Sequence, residues 1–285
     1  MDQVFPLADR QGSSSKAPLV SVVMPAFNVE QYIAEAIESI LSQSFSDFEL
    51  IIVNDGSQDG TQHMIETYAM QDKRIIVLSL QKNAGVAHAR NLGIIQARGT
   101  FVAMMDADDI SLPERLEAQV RFLQSQPKVG VVGGAILVLN ERMVPVAERR
   151  YWIDDATIRK HLFLFMPFCF GSIMIRRNVL VRSGMFDTVY QVAEDYDLYF
   201  RLGRTMQFAN LPQVVYWYRT RSHSLTHERR RDMEIATINI RKKYFKEYDA
   251  SLLDRIYNVL HFLSIFCIPS KWKYKLFFTI RQKLS

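Results

Sequence analysis

Between residues 19 and 105 the chain alternates short, almost wholly apolar runs with longer stretches in which apolar positions recur every three or four residues. The runs are Leu19-Val20-Ser21-Val22-Val23-Met24, Leu50-Ile51-Ile52-Val53, Ile75-Ile76-Val77-Leu78 and Thr100-Phe101-Val102-Ala103-Met104-Met105. They are too short for helices and apolar on both faces, which predicts strands of a sheet covered on both sides. Tyr32, Ile33, Ala36, Ile37, Ile40 and Leu41 keep helical spacing, and helical stretches follow from about Thr61 and through Arg90-Asn91 to about Ala97. Four strands alternating with three helices predict a doubly wound, Rossmann-like α/β fold with a mostly parallel sheet and flanking helices. Right-handed crossovers place all four strand ends on one edge. Pro25-Ala26-Phe27-Asn28, Asp55, Asn83 and Asp106 with Asp108 are therefore expected to meet in one crevice.

The pattern changes after residue 110. Ser111-Leu112-Pro113-Glu114 fits a capping box in front of a helix whose inner face is Leu116, Val120 and Leu123. Val129 to Leu139 reads as another strand, with Gly133-Gly134 marking a bulge or a close approach. Residues 161–175 are uncharged and aromatic, are interrupted by Pro167, and are too few to cross a bilayer, so they are expected in the core. Ala193-Glu194-Asp195-Tyr196-Asp197-Leu198 opens a helix buried through Leu198, Tyr199 and Leu202. Val214 to Tyr218 reads as a strand that leads into Arg219-Thr220-Arg221-Ser222-His223. The expected organisation is a flexible lead over 1–18, one half over 19–110, a second over 111–230 and a helical extension over 231–285.

Composition changes this picture little. With 285 residues, 48% hydrophobic and 23% charged, the chain is an ordinary globular protein with ample core. The net charge of +5 is local: residues 251–285 hold six basic residues against Asp254, while the first 250 balance at 29 against 29. The basic character belongs to a tail, and no nucleic-acid-binding body is expected. Cys169 and Cys267 lie far apart and suggest neither a disulfide framework nor a zinc site, which fits a reducing cytosol. Met1 to Pro18 is polar, so no signal peptide is expected. In the tail, Leu260, Phe262, Leu263, Ile265 and Phe266 precede Pro269, and Trp272, Tyr274, Leu276, Phe277, Phe278 and Ile280 follow it among lysines. Two short amphipathic helices of this kind suit an in-plane membrane anchor; the alternative is a pair packed on the body of the chain or on another subunit.

The densest chemistry is Asp106-Ala107-Asp108-Asp109, three carboxylates in four residues at the end of an apolar run. Bare, they repel; a divalent cation between them relieves this, and oxygen ligands suit Mg²⁺ or Mn²⁺. The plainer alternative is a solvated acidic turn capping the next helix. No GxGxxG follows the first strand and no GxxxxGK[ST] occurs, which disfavours a dinucleotide fold and a P-loop NTPase. A lone histidine such as His223 is more often structural than a ligand.

Five segments in order carry a resemblance over most of residues 18–230: Val20-Ser21-Val22-Val23-Met24-Pro25-Ala26-Phe27-Asn28, Ile52-Val53-Asn54-Asp55-Gly56-Ser57 with Asp59-Gly60-Thr61, Asn83-Ala84-Gly85-Val86-Ala87-His88-Ala89-Arg90-Asn91, Asp106-Ala107-Asp108-Asp109, and Glu194-Asp195. Together they resemble the family 2 glycosyltransferases of the non-processive bacterial type, which have the GT-A nucleotide-sugar fold. The resemblance implies that Pro25, Ala26, Phe27, Asn28, Asp55, Asn83, Arg90, Asp106 and Ala107 bind the nucleotide-sugar. Phe27 would stack on the base, and Asp55 would accept from it, most naturally from the uracil N–H. Asp106 and Asp108 match the DxD pair, so Asp108, with Asp106, would hold Mg²⁺ or Mn²⁺, and His223 resembles a further metal or diphosphate contact. Asp195 would be the catalytic base, supported by Glu194.

The implied activity is metal-dependent inverting transfer from a UDP-sugar to a glycan or lipid-linked acceptor in surface polysaccharide synthesis, at the cytoplasmic face of the membrane. The processive members' Gln-x-x-Arg-Trp motif is replaced by Tyr216-Trp217-Tyr218-Arg219, which favours single-sugar transfer. Two alternatives stand beside it: a sugar-nucleotide nucleotidyltransferase, although Pro25-Ala26-Phe27-Asn28 lacks a Gly-rich phosphate loop, and a non-catalytic nucleotide-sugar or glycan scaffold.

Overall fold

A computed structural model of the chain describes residues 5–6, 16–221 and 229–268. His223 and the tail beyond Ile268 lie outside the described residues, as does most of the expected N-terminal lead. The first half runs β1 (Phe5–Pro6), β2 (Val20–Ala26), α1 (Ile33–Leu41), β3 (Phe48–Asn54), α2 (Thr61–Gln71), β4 (Ile75–Ser79), α3 (Val86–Gln96) and β5 (Phe101–Met104). Each apolar run became a strand, because side chains at alternate positions are buried on opposite faces. In β2, Val22 and Met24 enter the apolar layer beneath α1, and Val23 enters the layer on the other face.

The second half adds β6 (Ile110–Ser111), α4 (Arg115–Ser125), β7 (Val129–Leu139), β8 (Pro145–Arg149), α5 (Asp155–Lys160), β9 (Met174–Arg176), α6 (Arg177–Arg182), α7 (Glu194–Leu202) and β10 (Gln207–Arg219). Two helices follow, α8 (Arg230–Tyr244) and α9 (Leu252–Cys267). The strands form one sheet in the order β1-β4-β3-β2-β5-β9-β7-β10-β6, with β8 paired to β7.

The fold is α/β with helices flanking the sheet, but the sheet is mixed rather than mostly parallel. β2, β3, β4 and β5 are parallel neighbours, as are β7 and β10. The three-residue β9 lies between these blocks and runs antiparallel to both β5 and β7. Apolar runs mark strands but carry no direction, so periodicity could not show this reversal. Residues 161–175 are in the core as expected, with Phe163, Phe168 and Phe170 buried. Gly133 and Gly134 mark a close approach, where a Cβ would meet Phe168 and Val215 side chains at 2.7 Å and 2.6 Å. The expected capping box at Ser111 does not form. Ser111 pairs with Tyr216 as strand, its N–H donates to Ser39 Oγ, and the helix begins at Arg115.

Two features position the site. The order β4-β3-β2-β5 reverses direction between β2 and β5, the switch point at which open α/β sheets bind ligands. Phe27 and Asn28 leave the end of β2 there, and Asp106 follows β5. Beyond Asp109 the chain is pinned as β6 against β10, so the residues leaving β10 return to the acidic turn.

Candidate active site

The turns after β2 and β3 are tied together by their own side chains. Asn28 has left-handed backbone (φ 51°); its N–H donates to Ser57 Oγ and its Oδ1 accepts from Gln58 N–H. Pro25 and Ala26 lie at the carboxyl end of β2, and Phe27, just beyond it, is 43% exposed. Asp55 is 3% exposed and holds the next turn: its two oxygens accept from the Ala84 N–H at 2.8 Å and the Gly85 N–H at 3.0 Å. Burial pushes its carboxyl up, and these two amides work against that shift. Asn83, just before them, is exposed.

The acidic turn meets partners from three directions, and its three carboxylates do not share one partner. Asp106 Oδ1 accepts from Arg90 Nη2 at 3.1 Å, and Asp106 N–H lies 3.2 Å from the Tyr216 hydroxyl. Asp108 Oδ2 is paired with Arg221 Nη2 at 2.5 Å. Asp109 turns into the interior, 1% exposed, where its Oδ1 accepts from the Arg219 N–H at 2.8 Å. Burial first, then the Asp108 and Asp106 charges, raise the Asp109 pKa well above the carboxylate range. Burial also raises that of Asp108, against the pull of Arg221. Ala107 is buried between the two outer aspartates. Gly171 beneath the turn admits no Cβ, which would meet the Tyr216 hydroxyl and lie 2.8 Å from Asp106 Oδ2.

Arg90 joins this turn to the start of α7. It is 7% exposed, its guanidinium lies 4.1 Å over the Phe170 ring, and Nη1 donates to Glu194 Oε1 at 2.5 Å. Asp106 and Glu194, 88 positions apart, therefore share one guanidinium. Ala193 enters α7 in the left-handed region (φ 59°), which turns Glu194 and Asp195 toward Arg90. Asp195 Oδ1 accepts a local bond from the N–H of the next residue, Tyr196, at 2.8 Å. Burial, and next the adjacent Glu194 charge, push the Asp195 pKa up to about 7, opposed by Arg90. A carboxylate poised there suits general base chemistry near neutral pH.

The structure thus brings Pro25, Ala26, Phe27, Asn28, Asp55, Asn83, Arg90, Asp106, Ala107, Asp108, Glu194 and Asp195 to one edge of the sheet. Sequence reasoning missed Arg221, Tyr216 and Gly171. Arg221 was visible only as part of a short basic segment, and nothing in the sequence signals the other two. Among the described residues no group of three or more His, Cys, Asp or Glu side chains gathers at a metal-binding spacing.

Known proteins resemble the chain over this same region. It is 32% identical over 211 residues to an uncharacterized glycosyltransferase of Haemophilus influenzae, an alignment that covers 71% of this chain and 65% of the relative. The chain thus spans just under two thirds of that relative's length. The O-antigen biosynthesis glycosyltransferase WbnJ of Escherichia coli is 28% identical over 84% of this chain and 94% of its own length. In three dimensions the chain is similar to the mannosyltransferase PcManGT of Pyrobaculum calidifontis, solved with GDP-Man and Mn²⁺. The TM-score is 0.66 over 89% of this chain and 74% of that one, at 19% identity, a likeness of fold. The model of glycosyl transferase family 2 matches residues 21–184, more than half of the sequence and four of the five motif segments, and the chain belongs to that family.

Proposed function

We propose that this chain is a metal-dependent inverting glycosyltransferase that moves a single sugar from a nucleotide-sugar, with uridine as its nucleoside, to a hydroxyl of a glycan or lipid-linked acceptor in surface polysaccharide assembly. The observation that carries the reading is the shared guanidinium of Arg90, which sets the aspartate pair at the donor side within reach of the Glu194-Asp195 pair. Residues 19–110 form the nucleotide-sugar half and 111–230 the acceptor and catalytic half. Phe27 stacks its exposed ring on the base, and Asp55, Asn28 and Asn83 shape the base and ribose end. The C-terminal extension contacts the cytoplasmic face of the membrane without crossing it; no helix among the described residues is long and apolar enough to cross one.

The residues present fit a hard divalent cation. Such ions are held by one or two carboxylates together with substrate phosphates rather than by an all-protein cage. Asp108 and Asp106 supply that pair, each with one oxygen engaged by an arginine and a second oxygen to offer; His223 would add a ligand from the segment after β10. When bound, the ion neutralises the departing diphosphate.

Asp195 performs the proton chemistry. Its carboxylate accepts the acceptor hydroxyl's proton as that oxygen bonds the anomeric carbon, while the bond from that carbon to the diphosphate oxygen breaks on the opposite face. The sugar configuration inverts, and the nucleoside diphosphate leaves with the bonding pair. Holding both substrates in one crevice supplies much of the rate. Glu194 fixes Arg90 and, through its charge, keeps the Asp195 pKa high enough for the work.

A panel of UDP-, GDP- and dTDP-sugars with Mn²⁺ or Mg²⁺, read by nucleoside diphosphate release, tests the reading. Release from one donor, dependent on metal and lost in Asp108→Ala, is expected. Turnover of a nucleoside triphosphate instead would identify a nucleotidyltransferase, and tight donor binding without release on any acceptor glycan would identify a scaffold.

A further inference from the structure

Resting on the assignment of the C-terminal extension to the membrane, we infer that α9 binds an anionic lipid surface through its outward face. An ordinary surface helix turns its apolar stripe inward; α9 is inverted. Asn258 is its buried position, donating to the Ile238 carbonyl at 3.2 Å. His261 Nδ1 lies 3.0 Å from Arg241 Nη1, and the Tyr257 ring lies 5.1 Å from the same guanidinium. The polar stripe is therefore spent on α8.

Outward face Leu253, Val259, Leu260, Phe262, Leu263 and Phe266, each between 42% and 76% exposed. The acid of this helix, Asp254, is spent in a capping box with Ser251. Cations rim the apolar face: the Arg231 guanidinium lies 5.6 Å from the Phe266 ring and the Lys242 ammonium 5.8 Å from Phe262. Residues 269–285 add Lys271, Lys273, Lys275, Arg281 and Lys283 and no acid. An apolar face with a basic rim complements anionic headgroups above acyl chains.

Sixteen residues of helix extend roughly 24 Å, short of the ~30 Å hydrocarbon core. With its polar stripe held by α8, the helix lies in the plane of the surface. Arg241 carries this seat to the site, since its Nε also donates to the Tyr196 hydroxyl, one residue from Asp195, at 3.2 Å. The lipid face and the catalytic helix are thereby set as one unit, which suits an acceptor carried on a lipid.

The test is flotation of the full chain with phosphatidylglycerol-containing vesicles and with pure phosphatidylcholine vesicles. Binding to the anionic vesicles alone, weakened by salt, is expected. Phe262→Ser with Phe266→Ser should lower partitioning about tenfold or more, with the urea midpoint and donor hydrolysis unchanged because both rings are solvent-facing. Arg231→Gln with Lys242→Gln should erase the preference for anionic lipid. Binding that survives the phenylalanine changes overturns the inference, and so does a full chain that stays in solution. In that last case a concentration-dependent dimer would identify a second copy as the cover. Vesicle binding without donor hydrolysis would sink the transferase reading and leave the lipid face standing.

Discussion

Arg90 is the group whose loss should be felt most widely. Its guanidinium is buried and lies between Glu194, 6% exposed, and Asp106, whose side chain is 27% exposed. In Arg90→Met the volume and the packing on Phe170 are largely kept, but Glu194 loses its partner in an apolar setting. Removing one member of a buried pair costs about 3–5 kcal/mol. The Asp106 arm is part-exposed and screened, so it adds little, and about 3 kcal/mol is the working figure. For a chain of this size that is a fall of roughly 6–12 °C in Tm.

Urea denaturation at pH 8 reads the deficit. Arg90→Met with Glu194→Gln should recover all but about 1 kcal/mol, since both charges are gone. The Asp195 pKa, which Arg90 holds down, should rise in the single variant and carry the pH profile of donor hydrolysis upward with it. A single variant that loses under about 1 kcal/mol at pH 8, or a double variant no better than the single, would refute the buried bridge.

Three further outcomes are expected. Asp195→Asn should stabilise the chain at pH 8 by about 1–2 kcal/mol. A carboxyl whose folded pKa is raised costs stability as pH climbs from its unfolded value toward about 7, so urea curves should show the gain shrinking toward pH 4. Arg221→Ala should tighten Mn²⁺ binding in the absence of donor about three- to tenfold, read as free Mn²⁺ by electron paramagnetic resonance, because the guanidinium occupies Asp108 Oδ2; weaker binding would mean that Arg221 orders the site instead. Gly171→Ala should cost about 1–3 kcal/mol in a denaturant titration and weaken metal-dependent hydrolysis, since the added methyl displaces Tyr216 or Asp106.

The first half of the fold was legible because burial on both faces leaves a strong signal. β2, β3, β4 and β5 lie where the apolar runs fall, and their turns carry the expected polar residues to one edge. The direction of β9 was not legible, because a three-residue segment, Met174-Ile175-Arg176, carries no pattern that differs between the two senses. The acidic turn was read as three carboxylates around a cation. Only Asp106 and Asp108 face the crevice; the third became interior because β6 pairs with β10 and presents the Arg219 N–H to Asp109. That pairing spans more than a hundred residues and leaves no local trace. Arg221 was hidden for the same reason. In α9 the apolar periodicity was visible but its sense was not: a periodic stripe says that two faces differ, and tertiary contacts decide which of them faces the protein.

The central claim is that Asp195 takes the proton. The most direct measurement is the pH profile of metal-dependent donor hydrolysis by the unchanged chain and by Asp195→Asn, with donor affinity measured alongside by calorimetry. Water replaces the acceptor hydroxyl in that reaction, so no acceptor need be known. The account predicts a rate that climbs about tenfold per pH unit, levelling near neutrality as the Asp195 carboxyl ionises, and a fall of about 10²–10⁴ in Asp195→Asn with donor affinity intact. A variant that hydrolyses donor at the original rate, or a profile flat from pH 5 to pH 9, would contradict it.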